Sequence, residues 1–449
     1  MPDQPAPSTS TAGGPQLAGT RPAGLSVPPS RPVTQARQMA RRTLSEPEAR
    51  RKQLPPRAAY ALAASVIGLS LFASVTPSPL YRSYSVLWHF SPLTLTLIFA
   101  IYAFGVLTTL LLAGRVSDQV GRRPVLLAAL GALMGSAMLF MAAGGTAWLF
   151  AARALQGLAT GAALSTASAA LLDLHPRRDA ARAGLANGVA SAAGLGLGFL
   201  VSSVLVQLGP APRVLPYVVL LVLFAAAFGG AYWMPEPVPE RSSFRLTPQR
   251  PGVPAGIRHP FLLASLAVIA SWSLGGLFFS LGPGLSAQLF RSSSVLVAGS
   301  GAVALALAGA LSQMIFHRAA PWIGAAAGSA ALAAGTMLIV AATATGSGAA
   351  YLAGSVVGGA GFGVAFLGGL RQLVAVIPHQ DRAAVMSAFY VVSYASLSLP
   401  AVLAGLVVTH LGLHVTFETF GSIVAVVALA MAIEAWRTRP GRPCAQVRG

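Results

Sequence analysis

The side chains that could do chemistry in this sequence are a few charged residues set in or beside long apolar runs. A gap between two such runs holds Asp118, Arg122 and Arg123. Carboxylates and guanidinium groups at this spacing can form ion pairs, and helix ends attract charges of the opposite sign. Arg153 lies inside an apolar run, and Asp173 lies near the end of the same run. The group Asp118, Arg122 and Arg123 predicts ion pairing at a helix end rather than catalysis.

Residue types that serve other chemistry are sparse in the sequence. The one cysteine is Cys444, and all seven histidines fall in gaps or at the ends of runs. The sequence has no paired carboxylates within the apolar runs and no Walker A loop. These observations argue against an enzyme, an ATP-driven pump and a disulfide framework, and we predict no cofactor and no metal.

Composition points to a lipid environment. Of the 449 residues, 55% are hydrophobic and 9% are charged, whereas soluble domains carry roughly a quarter charged residues. The 30 Lys and Arg against 11 Asp and Glu would suit nucleic acid, but the arginines lie in short gaps rather than along one face. We therefore predict a lipid bilayer as partner and no nucleic acid. The Arg, Ala, Gly, Leu and Val bias is typical of a high-GC bacterium.

Apolar runs long enough to cross a bilayer recur as six, a polar break, and six more. In chain order they are 58–80, 92–112, 124–143, 148–172, 184–207, 213–234, 260–287, 294–316, 320–343, 349–373, 383–408 and 412–436. We predict an all-α transmembrane fold of 12 helices in two six-helix, pseudo-symmetric halves. The predicted parts are a disordered basic arm at 1–57, a first half at 58–234, an interdomain loop at 235–258, a second half at 259–436 and a tail at 437–449.

The positions of the basic residues predict the orientation. If both termini are cytoplasmic, 26 of the 30 Lys and Arg lie on the cytoplasmic side and three lie outside. The positive-inside rule favours this topology. We therefore expect a multi-pass protein of the bacterial inner membrane with both termini in the cytoplasm, and we expect the arm, the interdomain loop and the tail there too.

The two halves also echo each other in sequence. Arg182 and Arg382 precede runs five and eleven at an offset of 200 residues, and Gly114 and Gly309 lie 195 residues apart near the ends of runs two and eight. Parallel repeats of this kind are the architecture of one large transporter class.

The gap between runs two and three carries a specific pattern, Gly114-x3-Asp118-x2-Gly121-Arg122-Arg123. Gly114 allows a neighbouring helix to approach, Asp118 can pair with an arginine or a helix N-terminus, and Gly121 permits a tight turn. The pattern resembles motif A of the major facilitator superfamily. For Arg123 alone, the ordinary attraction of arginines to cytoplasmic loops is an equal explanation.

Run four carries Arg153-x2-Gln156-Gly157, which resembles motif B of the same family. An arginine inside a span needs a cavity or a partner, although snorkelling to the outer headgroups is an alternative. The resemblance implies that Asp173 pairs with Arg122 as an inner gate; a solvated helix-end carboxylate is the other interpretation. Motif C of drug-exporting antiporters is degraded, since its proline and final glycines are absent around Gly198.

The resemblance implies a small-molecule substrate bound between the halves near mid-membrane. Each aromatic candidate has packing or an interfacial belt as its alternative role. The candidates for the cavity, beside Arg153 and Gln156, are Ser70, Ser74, Trp272, Phe278, Phe279, Tyr390 and Tyr394.

The expected function is secondary active transport by alternating access. No carboxylate occurs in runs one or seven, so a neutral, amphipathic or anionic substrate is favoured over a strongly cationic one. Protons as the coupling ion, and efflux as the direction, are implied by the resemblance and not by any residue. The alternative is a membrane scaffold or receptor that keeps the fold without transporting.

Overall fold

The computed structural model describes residues 53–114, 116–238, 248 and 250–439. Nearly all of the arm predicted at 1–57, most of the tail predicted at 437–449 and part of the loop predicted at 235–258 lie outside these residues. Within the described residues the regular structure is helical, with no strand. The predicted all-α transmembrane class is confirmed.

The helices follow the predicted apolar runs closely and are labelled here in chain order. They are α1 Pro56–Val75, α2 Tyr81–Trp88, α3 Pro92–Ala113, α4 Val116–Val120, α5 Arg122–Met141, α6 Thr146–Leu174, α7 Ala180–Leu208, α8 Leu215–Trp233, α9 Arg258–Ser280, α10 Gly282–Leu289, α11 Val295–Phe316, α12 Pro321–Thr345 and α13 Gly348–Val376. The last helical segment, Arg382–Arg437, is treated next.

The final two predicted runs are joined end to end, with no loop between them. By length and composition, the described residues contain eleven helices able to cross a membrane, and the last, Arg382–Arg437, has 56 residues. Gly412 interrupts it with φ 79° and ψ 172°, which is not helical. The segment is therefore two helices, α14 (382–411) and α15 (413–437), and counting them separately gives twelve spans. Leu411 and Leu413 flank the glycine, so no polar linker marks the turn.

The first predicted run, 58–80, is broken where its prolines begin. Helix α1 ends at Val75, and a 3-10 turn at Ser78–Leu80 leads into α2. Pro77 and Pro79 have no backbone N–H and cannot continue the hydrogen bonding of α1. The break leaves carbonyl groups near the end of α1 without helical partners.

The first half has a core of its own, and two helix pairs make most of the contact between the halves. In the first half the buried apolar side chains come from every helix between α1 and α8 except the short α4. Helix α3 packs on α14, and α7 packs on α11. The spans alternate in direction, so the α4 turn, the start of α12 and the end of α15 share one end of the bundle. This end is called the motif A end below, and the opposite end is called the far end.

Candidate functional site

Arg122 is the centre of a polar network at the motif A end. Its Nη1 lies 2.5 Å from Oδ1 of Asp118, and its Nε donates to Oδ2 of Asp173 at 3.1 Å. Nη1 also donates to the hydroxyl of Ser117 at 2.6 Å. One guanidinium thus joins the α4 turn to the end of α6. Asp118 is half exposed and Asp173 half-buried, so solvent screens the pair with Asp173 less.

Glu236 completes this network, and the sequence analysis missed it. Its carboxylate accepts the backbone N–H groups of Arg122 at 2.8 Å and Arg123 at 2.9 Å, which caps the N-terminus of α5. Gly121 has φ 110°, and a Cβ there would meet Oε2 of Glu236 at 2.7 Å. The Arg123 guanidinium lies 4.9 Å from the ring centroid of Tyr232. The end of α8 is therefore fixed to the start of α5.

Asp179 caps the neighbouring helix α7 at the same end. Its carboxylate accepts the backbone N–H groups of Arg182 at 3.1 Å and Ala181 at 3.0 Å. The bond from the Arg182 backbone lowers the pKa of the Asp179 carboxyl most; the Ala181 bond and the charges of Arg182 and His175 lower it further. The carboxylate stays ionised at neutral pH, as a helix N-terminus favours.

Arg153 is the centre of a second network, in the interior of the first half. The residue has no exposed surface. Its Nη1 donates to the backbone carbonyl of Ser74 and to Oε1 of Gln156, each at 2.6 Å. Its Nε and Nη2 donate to the hydroxyl of Tyr81 at 2.8 and 2.5 Å. The snorkelling alternative is wrong, because the guanidinium binds groups inside the protein instead of reaching the headgroups.

The Arg153 network satisfies the carbonyls that the α1 break leaves free. Pro77 cannot donate to the carbonyl of Ala73, and Nε2 of Gln156 donates to it instead at 3.0 Å. Arg153 serves the next carbonyl, that of Ser74. Two residues of α6 therefore hold the end of α1 in place, and their spacing of three positions puts both on one face of the helix.

The Arg153 guanidinium is surrounded by aromatic rings. None of its contacts among the described residues is with an acidic side chain. Its Cζ lies 5.5 Å from the ring centroid of Tyr102 and 5.9 Å from that of Phe140. Gly157, one helical turn on, has the backbone of α3 against it, since a Cβ there would come within 2.2 Å of the Tyr102 carbonyl oxygen. Close packing of α3 and α6 thus encloses the charge.

Four of the predicted cavity residues are buried packing residues in this conformation. Ser70 has no exposed surface, and its hydroxyl donates to the carbonyl of Val66 at 2.7 Å. Ser74 is buried, and its hydroxyl donates to the carbonyl of Leu71 at 2.6 Å. Phe278, also fully buried, stacks on a tyrosine of α13, and Phe279 packs against a phenylalanine of α7.

The other three predicted cavity residues come together at the junction of the halves. Trp272 of α9 lies edge-on to Tyr394 of α14, with ring centroids 5.1 Å apart, and is 5.8 Å from Phe366 of α13. Tyr394 packs against Tyr102 of α3, and Tyr390 joins the same group. These five residues are called the aromatic wall below. Trp272, Phe366 and Tyr390 keep partial exposure.

Comparison with known proteins agrees with this architecture. The family model of the Major Facilitator Superfamily matches residues 58–355, about two thirds of the chain. The chain belongs to this superfamily. Among solved structures, the human organic anion transporter MFSD10 (TETRAN) is similar, with a TM-score of 0.59 and 19% identity, over 85% of this chain and 100% of that one. At this identity the likeness shows the fold alone. The search of curated proteins found no match.

Superfamily membership identifies this chain as a multi-pass membrane protein, and it points to a transporter rather than an enzyme. Within the described part of the chain, no group of three or more His, Cys, Asp or Glu side chains could hold a metal ion. Glu236, Tyr81, Tyr102 and Phe366 are site residues that the sequence analysis omitted. Glu236 had a usable signal, an acid directly after the sixth run and next to a proline. Tyr81, Tyr102 and Phe366 had none, because only the folded chain brings them to Arg153 or to the junction of the halves.

Proposed function

We propose that this protein is a secondary active transporter that moves a small neutral, amphipathic or anionic molecule by alternating access. The observation that carries the proposal is the Arg122 network, in which one guanidinium bonds Asp118 and Asp173 together. Such ion pairs near solvent are weak individually and can be broken and remade. We assign Gly114, Asp118, Gly121, Arg122, Arg123 and Asp173 to an inner gate that opens and closes at the motif A end.

The contact between the halves at the far end supports a conformational cycle. Val75, Phe99 and Phe199 of the first half pack into the same apolar cluster as Phe279 and Leu281 of the second half. The rings of Phe199 and Phe279 are 5.8 Å apart. Apolar side chains that meet without ion pairs can separate without stranding a buried charge. We propose that this cluster seals the far end in the present conformation.

A second far-end contact links α7 to α11. Oε1 of Gln207 accepts the backbone N–H of Val295 at 2.6 Å and the hydroxyl of Ser294 at 3.3 Å. Both donors lie at the N-terminus of α11, where the helix leaves N–H groups unsatisfied. Water can replace Gln207 when the halves part, so the bond suits a reversible contact.

The substrate class follows from the side chains at the junction. The aromatic wall offers ring faces and three phenol groups but no carboxylate, so it suits a flat aromatic or amphipathic molecule better than an organic cation. The similar MFSD10 is described as an organic anion transporter. Arg153 is the buried cation best suited to bind an anionic group of the substrate. Its Nε, Nη1 and Nη2 all donate to groups within the protein here, so it would meet an anion only after α1 moves.

We extend the proposal to orientation and coupling. The motif A end faces the cytoplasm of a bacterial inner membrane, with both termini on that side, because the arginines of the gaps collect there. Proton-coupled efflux is the mode we propose. Asp173 is the less exposed of the two carboxylates that hold Arg122.

The test uses purified protein in liposomes with and without a pH gradient. Matched aromatic carboxylates, neutral aromatics and quaternary ammonium compounds are offered to wild type, Asp173→Asn and Arg153→Ala. We expect anionic or neutral aromatics to move, and Asp173→Asn to slow them several-fold. Asp179→Asn is the control, since asparagine caps a helix as well as aspartate does and removes a carboxylate at the same end. If no compound moves under any gradient, the transport proposal is contradicted and the scaffold alternative is favoured.

A further inference from the structure

A groove lies between α12 and α15 on the outside of the bundle, away from both polar networks. Its volume is about 470 Å³, within the range of small-molecule pockets. Three alanines of α12 line it, Ala326, Ala327 and Ala330, and Ile323 and Ile433 are exposed beside them. The small side chains leave room between two membrane-spanning helices, and the surface they offer is apolar. An acyl chain is the ligand that fits such a surface within a bilayer.

The motif A end of the groove is basic and aromatic. Arg437, the last residue of α15, lines the groove and is exposed. The guanidinium of Arg439 lies 5.1 Å from the ring centroid of Trp436, which also lines the groove. Trp322 meets Trp436 edge-on, with centroids 5.9 Å apart. Tryptophans with arginines beside them mark the level of the lipid headgroups.

The one acidic side chain of this part of α15 already has a partner. Oε1 of Glu434 lies 3.5 Å from Nε2 of His259. Arg437 makes no ion pair among the described residues. Two arginines against one carboxylate leave a net positive charge at the mouth of the groove, which is complementary to a headgroup of net negative charge rather than to a zwitterionic one.

We propose that this groove binds one anionic phospholipid from the leaflet at the motif A end. One acyl chain lies over the alanines, and the phosphate lies between Arg437 and Arg439. The arginines favour a negatively charged headgroup, and the groove favours a ligand with an acyl chain over free phosphate. The proposal concerns lipid binding and does not rest on the substrate or direction of transport.

Native mass spectrometry of the full-length protein in detergent tests the proposal, with phosphatidylglycerol and phosphatidylcholine of identical chains as probes. We expect one phosphatidylglycerol to bind more tightly than phosphatidylcholine, by about fivefold for each arginine. The double variant Arg437→Gln/Arg439→Gln should remove this preference. Arg177→Gln is the matched control, since it removes an exposed arginine at the same end of the other half.

A second variant tests the groove itself. Ala330→Leu fills it and should weaken retention of both lipids, whereas Ala226→Leu, on the exposed face of α8, should change neither. Equal affinity for the two lipids overturns the proposal, as does an equal loss in Arg177→Gln or unchanged binding in Ala330→Leu. A dimer peak that Ala330→Leu abolishes would show that a second copy covers the groove, which also overturns it.

Discussion

Replacing Arg153 tests whether the buried guanidinium serves to hold the end of α1. In Arg153→Met, the carbonyl of Ser74, Oε1 of Gln156 and the hydroxyl of Tyr81 lose their donor. Each buried acceptor left unpaired costs about 1–3 kcal/mol, which gives about 3–9 kcal/mol for the three. Removing a buried cation that has no acidic partner among the described residues recovers part of its desolvation cost. We expect a net loss of about 2–4 kcal/mol.

The pattern across variants separates this role from a simple loss of packing. Arg153→Lys offers one ammonium, which can reach the Ser74 carbonyl but cannot also make the forked bonds to Tyr81, so it should restore part of the loss. If Arg153 and Gln156 act together on the α1 break, combining Arg153→Met with Gln156→Leu should cost less than the sum of the two, by about 0.5–3 kcal/mol.

The assay is the retention of monodisperse protein after heating in detergent, followed by size exclusion and tryptophan fluorescence. Arg177→Met is the control because Arg177 is an exposed arginine of the same half. A loss in Arg153→Met no larger than in Arg177→Met would refute the reasoning. So would strict additivity of the Arg153 and Gln156 variants.

Three further predictions concern the motif A end and the packing of α3 on α6. Glu236→Ala should lower thermal stability by about 1 kcal/mol through loss of the α5 cap, and Glu236→Gln should lose less; equal losses would show that the cap plays no part. Gly157→Ala should abolish folded protein on size exclusion because its Cβ would lie 2.2 Å from the Tyr102 carbonyl, whereas Gly131→Ala, with nothing within 4 Å, should be silent. Because the folded-state pKa of Asp179 is lowered, its contribution to stability is present above its unfolded pKa of about 3.9 and is lost as pH falls through the folded pKa. Melting curves of Asp179→Asn should therefore lack this acid-dependent component, and identical acid limbs in both proteins would contradict the assignment.

Much of the fold could be predicted because a bilayer imposes a length on every span. Each apolar run of about 20 residues became a helix, and the arginines marked the gaps. The break after Val75 was readable in principle from Pro77 and Pro79, but apolar residues on both sides hid it. The join at Gly412 was equally hidden, since a turn between two leucines carries no polar signal.

The candidate site was predictable only where its contacts are local or belong to a known pattern. Asp118 and Arg122 lie four residues apart on adjoining helical turns, and motif A names both. Glu236 is 114 residues from Arg122, and only the folded chain brings its carboxylate to the N-terminus of α5. Phe278 was taken for a cavity residue because it shares a helix with Trp272. Packing against α13 and α14 determines which face of α9 meets the junction. Because α9 is apolar on all sides, its hydropathy pattern does not identify that face.

The most direct test of the central claim is a pair of distance distributions measured by spin labels on the two ends of the bundle in the same protein. With Cys444→Ser as background, one labelled pair is Leu208→Cys with Thr345→Cys at the far end, and the other is Arg177→Cys with Gln380→Cys at the motif A end. Alternating access predicts two populations for each pair whose balance shifts in opposite directions when pH or a transported compound is changed. A single unchanged distribution at both ends, under every condition, would contradict the account.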